Sequence, residues 1–384
     1  MPYRNGLLMH PTDSTFRDFL AAALRKQARG WPDSWNDPEA IAAIGDSAIF
    51  HGVAGLLVDR APGNDDWPPA LTHRLREQAR AQSMWELRHR QLLANLLQAL
   101  ADRGVSTLVL KGSAIAYDLY ERPAARSRGD TDLLVRRGDL DQARDVLQSL
   151  GYRRHQLGDG LDDELAQQEA WMMSCDDGSK HAIDLHWEVL NSHSLKHVLP
   201  SEDCFAEARD LPRLSPQART LDRTRFLLHG CVHRAMHRTA PYIVAGTAHY
   251  DETRLIWSWD VMLLSQAMTS REWKRFVRLA VDRGVAGACR AGLQAAIDDF
   301  GATIPGPVTA ELKGASDGAY LQGSALRRAW LDLCSVQGGG VAKLRYLRGR
   351  LLPAPGFVRA KYPGMSRAPL IVLYARRLAE SFRR

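Results

Sequence analysis

Long apolar runs are missing from this chain. No stretch approaches the roughly 18 uncharged apolar residues that a membrane-spanning helix needs. The opening MPYRNGLLMHPTDSTF has no apolar h-region, so secretion is not expected either, and the chain reads as cytoplasmic. Cysteine is scarce and never occurs as CxxC: Cys175, Cys204, Cys231, Cys289 and Cys334 are scattered and odd in number. That excludes a zinc ribbon and a disulfide framework, and fits reduced, mostly buried thiols. There is no internal repeat, and the only low-complexity spot is GGG at 338–340, expected to be a loop. Recognisable RNA- or DNA-reading motifs are absent. The basic residues are not interleaved with a run of stacking aromatics, so a nucleic-acid partner has no motif to support it.

What is present is ordinary globular material: 384 residues, 45% hydrophobic and 25% charged, enough for two or three domains with a real core. The net charge of +7 is uneven. From Leu321 to Arg384 thirteen Lys or Arg face only Asp332 and Glu380, a local balance of +11, which leaves −4 for the other 320 residues. A basic tail on a mildly acidic body suits a phosphate-bearing or acidic partner, and it equally suits solvated Arg-rich helix faces.

Three regions emerge from the periodicity. Residues 1–104 read as a helical region: FRDFLAAALRKQ, DPEAIAAIGDSAIFHGVAGLLVDR, and a long LTHRLREQARAQSMWELRHRQLLANLLQALADRG with apolar positions three and four apart, closing at Gly104. Residues 105–200 change to short β-branched and Leu-rich runs between helical ones. Strands are expected at Val105–Leu110, Thr131–Val135, Gly151–His155, Glu169–Cys175 and His181–Val189, with helices at Ser113–Tyr120 and Asp139–Leu150. That is an α+β module. Residues 201–384 form a C-terminal region, helical again from about 215 and carrying the basic tail, with loops at ATIPGPV and LLPAPG.

The stretch LVLKGSAIAYDLYERPAARSRGDTDLLV, residues 108–135, holds the chemistry. Residues i and i+2 of a strand project from one face, roughly 6 to 7 Å apart. Asp130 and Asp132 therefore point together, and two such carboxylates repel unless a cation lies between them. Oxygen ligands at this spacing suit Mg²⁺ or Mn²⁺, ions that usually accompany substrate phosphates. Upstream, Gly112-Ser113 sits where a strand becomes a helix, a place where glycine permits close approach and free N–H groups attract phosphate. Lys111 and Arg126 add positive charge nearby. A third carboxylate is generally needed to complete a two-ion site and orient an acceptor hydroxyl. HAIDLHWEV at 181–189 supplies it: Asp184 is its single Asp amid apolar residues, on the same face as His186.

These segments, with the helix closing on LGY and the strand IDLHW, resemble the nucleotidyltransferase superfamily whose best-known member is DNA polymerase beta. They are more closely similar to a bacterial family of uncharacterised nucleotidyltransferases, the NTP-transferase 5 group. FLLHGCVHRAMH, RLIWSWDVMLL, LLPAPGFVRAKYP and YARRL extend the similarity into the C-terminal half. The resemblance implies an α+β polymerase-beta-like core, a mixed sheet with helices, flanked by helical regions at both ends. It implies that Gly112 and Ser113 hold the β- and γ-phosphates of a nucleoside triphosphate, ATP or another. Asp130 and Asp132 correspond to the paired metal ligands, and Asp184 to the third carboxylate that activates the acceptor. The reaction implied is transfer of a nucleoside monophosphate with release of pyrophosphate. The acceptor, a small molecule, a peptide or protein side chain, or an RNA end, is not specified. Thr131 stands where an aliphatic residue is more usual, and Ser127-Arg128 makes the approach unusually basic; neither removes a ligand.

His229, His233 and His237 recur every four residues and line one helix face. Zinc binding is one reading, though the glutamate of HExxH is absent; lining of an interface or substrate groove is the other. His186 is placed to touch the nucleotide or acceptor, or to pack within its strand. Trp257, Trp259 and Asp260 read as a helix packing against its neighbour. Two rival readings of the chain are a catalytically silent module that keeps the fold, and a nucleic-acid binder that works through its basic tail.

Overall fold

Caps in the sequence set the first helices of the computed structural model, which describes the chain apart from residues 1–2, 5–6, 9–12, 26, 28–29, 61–65, 156–164, 239, 241, 245–246, 366–367 and 383–384. A short antiparallel pair, β1 (Tyr3–Arg4) with β2 (Leu7–Leu8), comes first. Helix α1 (Ser14–Leu24) starts where the Asp13 carboxylate accepts the Thr15 N–H; α2 (Pro38–Phe50) starts where Asp37 accepts from Glu39 and Ala40. After α3 (Ala54–Arg60) comes α4 (Pro69–Asp102), closed at Gly104, whose φ of 74° turns the chain out of the helix. The buried face of α4 runs Leu71, Leu75, Ala79, Glu86, His89, Leu93, Leu96, Leu97, Leu100. Two polar residues interrupt this apolar stripe halfway along.

The α+β core comes next. Its elements are β3 (Thr107–Val109), α5 (Lys111–Leu119), β4 (Asp130–Val135), α6 (Leu140–Ser149), β5 (Arg153–Arg154), β6 (Gln168–Ser174) and β7 (Lys180–His186). After α7 (Ser201–Ala206), two short strands, β8 (Arg209–Asp210) and β9 (Arg219–Thr220), extend the same sheet beyond residue 200. The seven strands lie in the order β5-β6-β7-β4-β3-β9-β8. β4 pairs parallel with β7 and β3 parallel with β9, while the other neighbours are antiparallel, so the sheet is mixed. The strand read at Gly151–His155 shrinks to the two residues of β5, and residues 156–164 lie outside the described residues.

Helices dominate the rest: α8 (Arg223–Met236), α9 (Leu255–Gln266), α10 (Ser270–Asp282), α11 (Ala286–Phe300), α12 (Gly306–Lys313), α13 (Ala319–Gln322), α14 (Ala325–Ser335), α15 (Gly339–Leu351), α16 (Pro355–Lys361) and α17 (Leu370–Phe382). The region read as helical from 215 also contains β9 and an antiparallel pair, β10 (Tyr242–Val244) with β11 (Thr247–His249). GGG is only partly a loop: Gly338, at φ 99°, turns the chain, and Gly339 and Gly340 open α15. One continuous apolar core joins α1 to the sheet and onward to Leu321, whereas α14–α17 pack around two small satellite clusters. Among the described residues no helix is long and apolar enough to cross a membrane.

Candidate functional site

Parallel pairing of β4 with β7 sets Asp132 opposite Asp184, and Asp130 opposite Ala182. His186, two residues beyond Asp184, shares its face of β7. His186 Nε2 lies 2.9 Å from Asp132 Oδ1, and Lys111 Nζ donates to the same oxygen at 2.5 Å. One ligand atom each from Asp132, Asp184 and His186 fall within 4.8 Å of one another. Asp130, grouped from sequence with Asp132 and Asp184, sits at the exposed mouth of β4 and is not one of these three. Its carbonyl instead accepts from Ser113 Oγ at 3.4 Å.

Helix α5 begins at Lys111, two residues earlier than the sequence suggested, so Gly112 and Ser113 form its first turn. The backbone N–H groups there have no intrahelical acceptor and lie at the positive end of the helix. Lys111 itself takes φ 45°, and among the described residues no other non-glycine has positive φ. A left-handed lysine costs on the order of 1 to 2 kcal/mol. Its side chain is tied to Asp132, which holds it in place.

Burial opposes ionisation of Asp132, but the Lys111 ammonium and the His186 hydrogen bond overcome it and hold the carboxyl below its ordinary range. Asp184 has no such partner. Burial, then the charges of Asp132 and Asp130, push it up to about 8. Burial and Lys111 lower His186, so its ring is neutral. Two carboxylates and a neutral imidazole, one carboxylate lacking a counter-charge, are a donor set that fits a divalent cation.

The shell around the site explains the unusual residues of the motif. Arg126 is buried and donates from Nε (3.1 Å) and Nη2 (2.6 Å) to Asp260 of α9, which also accepts from Tyr120 OH at 2.7 Å. Gly112 packs directly on that guanidinium: a Cβ there would lie 3.0 Å from Arg126 Cζ and closer still to Nη1. Arg126 thus meets Asp260 and the start of α5. Arg128 is pinned by Glu86 of α4, which also accepts from Tyr117 OH, and its Nε donates to Ser113 Oγ at 3.1 Å. Ser113 Oγ and Thr131 Oγ1 are 2.6 Å apart, as are Thr131 Oγ1 and His89 Nε2. His89 continues to His181 at 3.3 Å between Nδ1 atoms. The Thr131 hydroxyl links Ser113 to His89 in this buried chain, and Arg128 is the cation that answers Glu86.

Glu86, His89, His181 and Asp260 were not singled out from sequence as part of the site. For Glu86 and His89 the signal was there: two polar residues at i, i+3 on an otherwise apolar stripe of α4. The α8 histidines form a ladder. His233 and His237 are 3.2 Å apart at their Nε2 atoms, and His237 stacks on Trp257 at 5.0 Å. His229 is buried, with Nε2 lacking any partner. Burial lowers all three rings, His229 to about 3 and His237 to about 4, and the Lys111 charge adds to each shift. The ladder is neutral and begins beside the Lys111–Asp132 pair. Among the described residues these rings do not join a third ligand in a metal group.

Aspartates on adjacent parallel strands could hold a divalent cation, and the N-terminus of a helix favours phosphate. The chain is a member of a family described as uncharacterised nucleotidyltransferases, whose model matches residues 37–300. The matched span runs from the N-cap of α2 to the end of α11 and contains every site residue named above. It stops short of LLPAPGFVRAKYP and YARRL, so the similarity read into those segments lies outside it. No curated protein matches the chain.

Proposed function

We propose that this protein transfers a nucleoside monophosphate from a nucleoside triphosphate to a hydroxyl or phosphate oxygen of an acceptor, with release of pyrophosphate. The register that sets Asp132 beside Asp184, next to the α5 N-terminus, carries this reading. Asp132 and Asp184 would hold Mg²⁺ or Mn²⁺, with Asp130 at the rim completing the acidic face. A divalent ion held there would supply charge neutralisation for the triphosphate. The first-turn N–H groups of Lys111, Gly112 and Ser113 bind the β- and γ-phosphates, and the Lys111 ammonium supports them. His186 orients the Asp132 carboxylate through their 2.9 Å contact. Arg126 acts from behind, fixing the position of Gly112. Asp184 receives the acceptor's proton as the acceptor oxygen attacks the α-phosphorus. The bond from that phosphorus to the α–β bridging oxygen breaks, and pyrophosphate leaves with the electron pair.

The test is to incubate the protein with each α-labelled nucleoside triphosphate, Mg²⁺ or Mn²⁺, and a lysate that supplies small molecules, proteins and RNA. Metal-dependent label should appear in one acceptor class and be lost in Asp184→Asn. Nucleotide that binds, with no label transferred in any fraction, would mark a binding module that has kept the fold.

A further inference from the structure

The C-terminal helices turn an apolar stripe outward. On α15, Tyr346 is the residue that packs inward, against Leu165 and Val336. Val341, Leu344, Leu347 and Leu351 occupy the other side at steps of three and four, which places them on one helix face. They face solvent: Val341 is 70% exposed and Leu344 68%. Arg345 and Arg348 flank this stripe and are exposed. Neighbouring α14 adds exposed Leu326 and Trp330, one turn apart, beside exposed Arg327. Helix α17 docks at the end of α15, where Tyr374 OH donates to Pro353 O and Arg377 to Arg350 O. It brings exposed Ile371.

Opposing charge is nearly absent. Neither α15 nor α16 contains a carboxylate. The carboxylate of Asp332 on α14 is turned inward, accepting from Ser192 Oγ, the Ser194 N–H and Tyr320 OH. Arg327, Arg345, Arg348, Arg350 and Arg376 are exposed on the same helices that carry these aliphatic side chains.

We infer that this face docks on an anionic lipid surface, with the α15 stripe lying in the interface plane. The chemistry matches an amphipathic interfacial helix: aliphatic residues and a Trp on one side, Arg and Lys beside them with stems long enough to reach the headgroups. A single-stranded nucleic acid would use stacking aromatics, whereas the exposed apolar groups here are aliphatic apart from Trp330. The inference is independent of the transfer reaction, because none of these residues belongs to the site.

Flotation of the full chain with vesicles tests it, using phosphatidylcholine alone and phosphatidylcholine with about one third phosphatidylglycerol. Partition should be at least about tenfold stronger on the anionic vesicles and should weaken as salt is raised. The pair Val341→Glu and Leu344→Glu should lower it about tenfold or more at unchanged thermal stability, and Arg345→Glu with Arg348→Glu should do the same. Three results would overturn the inference. One is equal or absent binding to both vesicle types. The second is vesicle binding that ignores the Val341 and Leu344 substitutions and is fully competed by an oligonucleotide. The third is a parent chain whose mass in solution is that of a dimer and falls to a monomer in the Val341→Glu, Leu344→Glu variant, since the stripe would then be an interface between copies.

Discussion

Gly112→Ala is a one-carbon perturbation whose cost the structure sets. The added Cβ would approach Arg126 Cζ to 3.0 Å and Nη1 more closely. A flexible surface arginine would swing aside. This one is buried and fixed to both oxygens of Asp260, so either the start of α5 shifts or the ion pair loosens. Overpacking of this kind costs about 1 to 3 kcal/mol. Full rupture of a buried pair costs about 3 to 5 kcal/mol. Alanine recovers up to about 1 kcal/mol of helix propensity over glycine. The expected net loss is about 2 kcal/mol, read as a lower urea midpoint at unchanged m. In an Arg126→Ala background the clash is gone, so the same substitution should cost nothing there, and the cycle should return a coupling of about 2 kcal/mol. A Gly112→Ala protein within about 0.5 kcal/mol of its parent would refute the assignment of this glycine to guanidinium packing.

Mg²⁺ with a nucleoside triphosphate should raise the melting temperature, and Asp130→Ala with Asp132→Ala should abolish the metal-dependent part of that rise at unchanged fold; differential scanning fluorimetry reads both. Asp184→Asn should weaken the metal-dependent part of nucleotide affinity, measured by calorimetry, less than Asp130→Ala with Asp132→Ala does, while transfer falls by several orders of magnitude, because the group that takes the acceptor's proton is lost. Acid should destabilise the protein well before its carboxylates titrate. Burial, reinforced by Arg17, Arg128 and Lys111 respectively, lowers His51, His89 and His229 to about 3. The unfolded chain therefore takes up these protons first. Stability is full above the ordinary histidine value of 6.5 and is lost as pH falls from there toward 3, at about 1.4 kcal/mol per pH unit for each ring. Urea midpoints at pH 7.5 and 5 should differ clearly, and equal midpoints would mean the rings are not buried neutral.

The elements around the site were legible because each is short, apolar and bounded by residues with one physical job. Gly104 and Gly151 end helices at positive φ, and Asp184 is the one carboxylate of β7. What no local pattern encodes is pairing. That Asp132 lies beside Asp184 depends on β7 pairing parallel with β4 while β6 takes its other side, a consequence of sheet topology. Asp260 looked like helix packing because its partner Arg126 is 134 residues away. His186 was read as a ligand contact or a packed ring; the structure sets it against Asp132, a contact that appears only once the register is known. Thr131 and Arg128 looked like departures from a pattern, and they make sense only with α4 laid across them.

The tie between Arg126 and Asp260 also bears on how the chain is made. Arg126 leaves the ribosome 134 residues before α9 can offer the Asp260 carboxylate. At about 5 to 20 residues per second, synthesis of that interval takes on the order of ten seconds. Throughout it the guanidinium has no native counter-ion, and a cation stripped of water without one is costly to bury. The motif region therefore stays hydrated and loosely held until the second half of the chain arrives. A messenger truncated before residue 260 would yield a product in which the Lys111–Asp132 region cannot close on its native support.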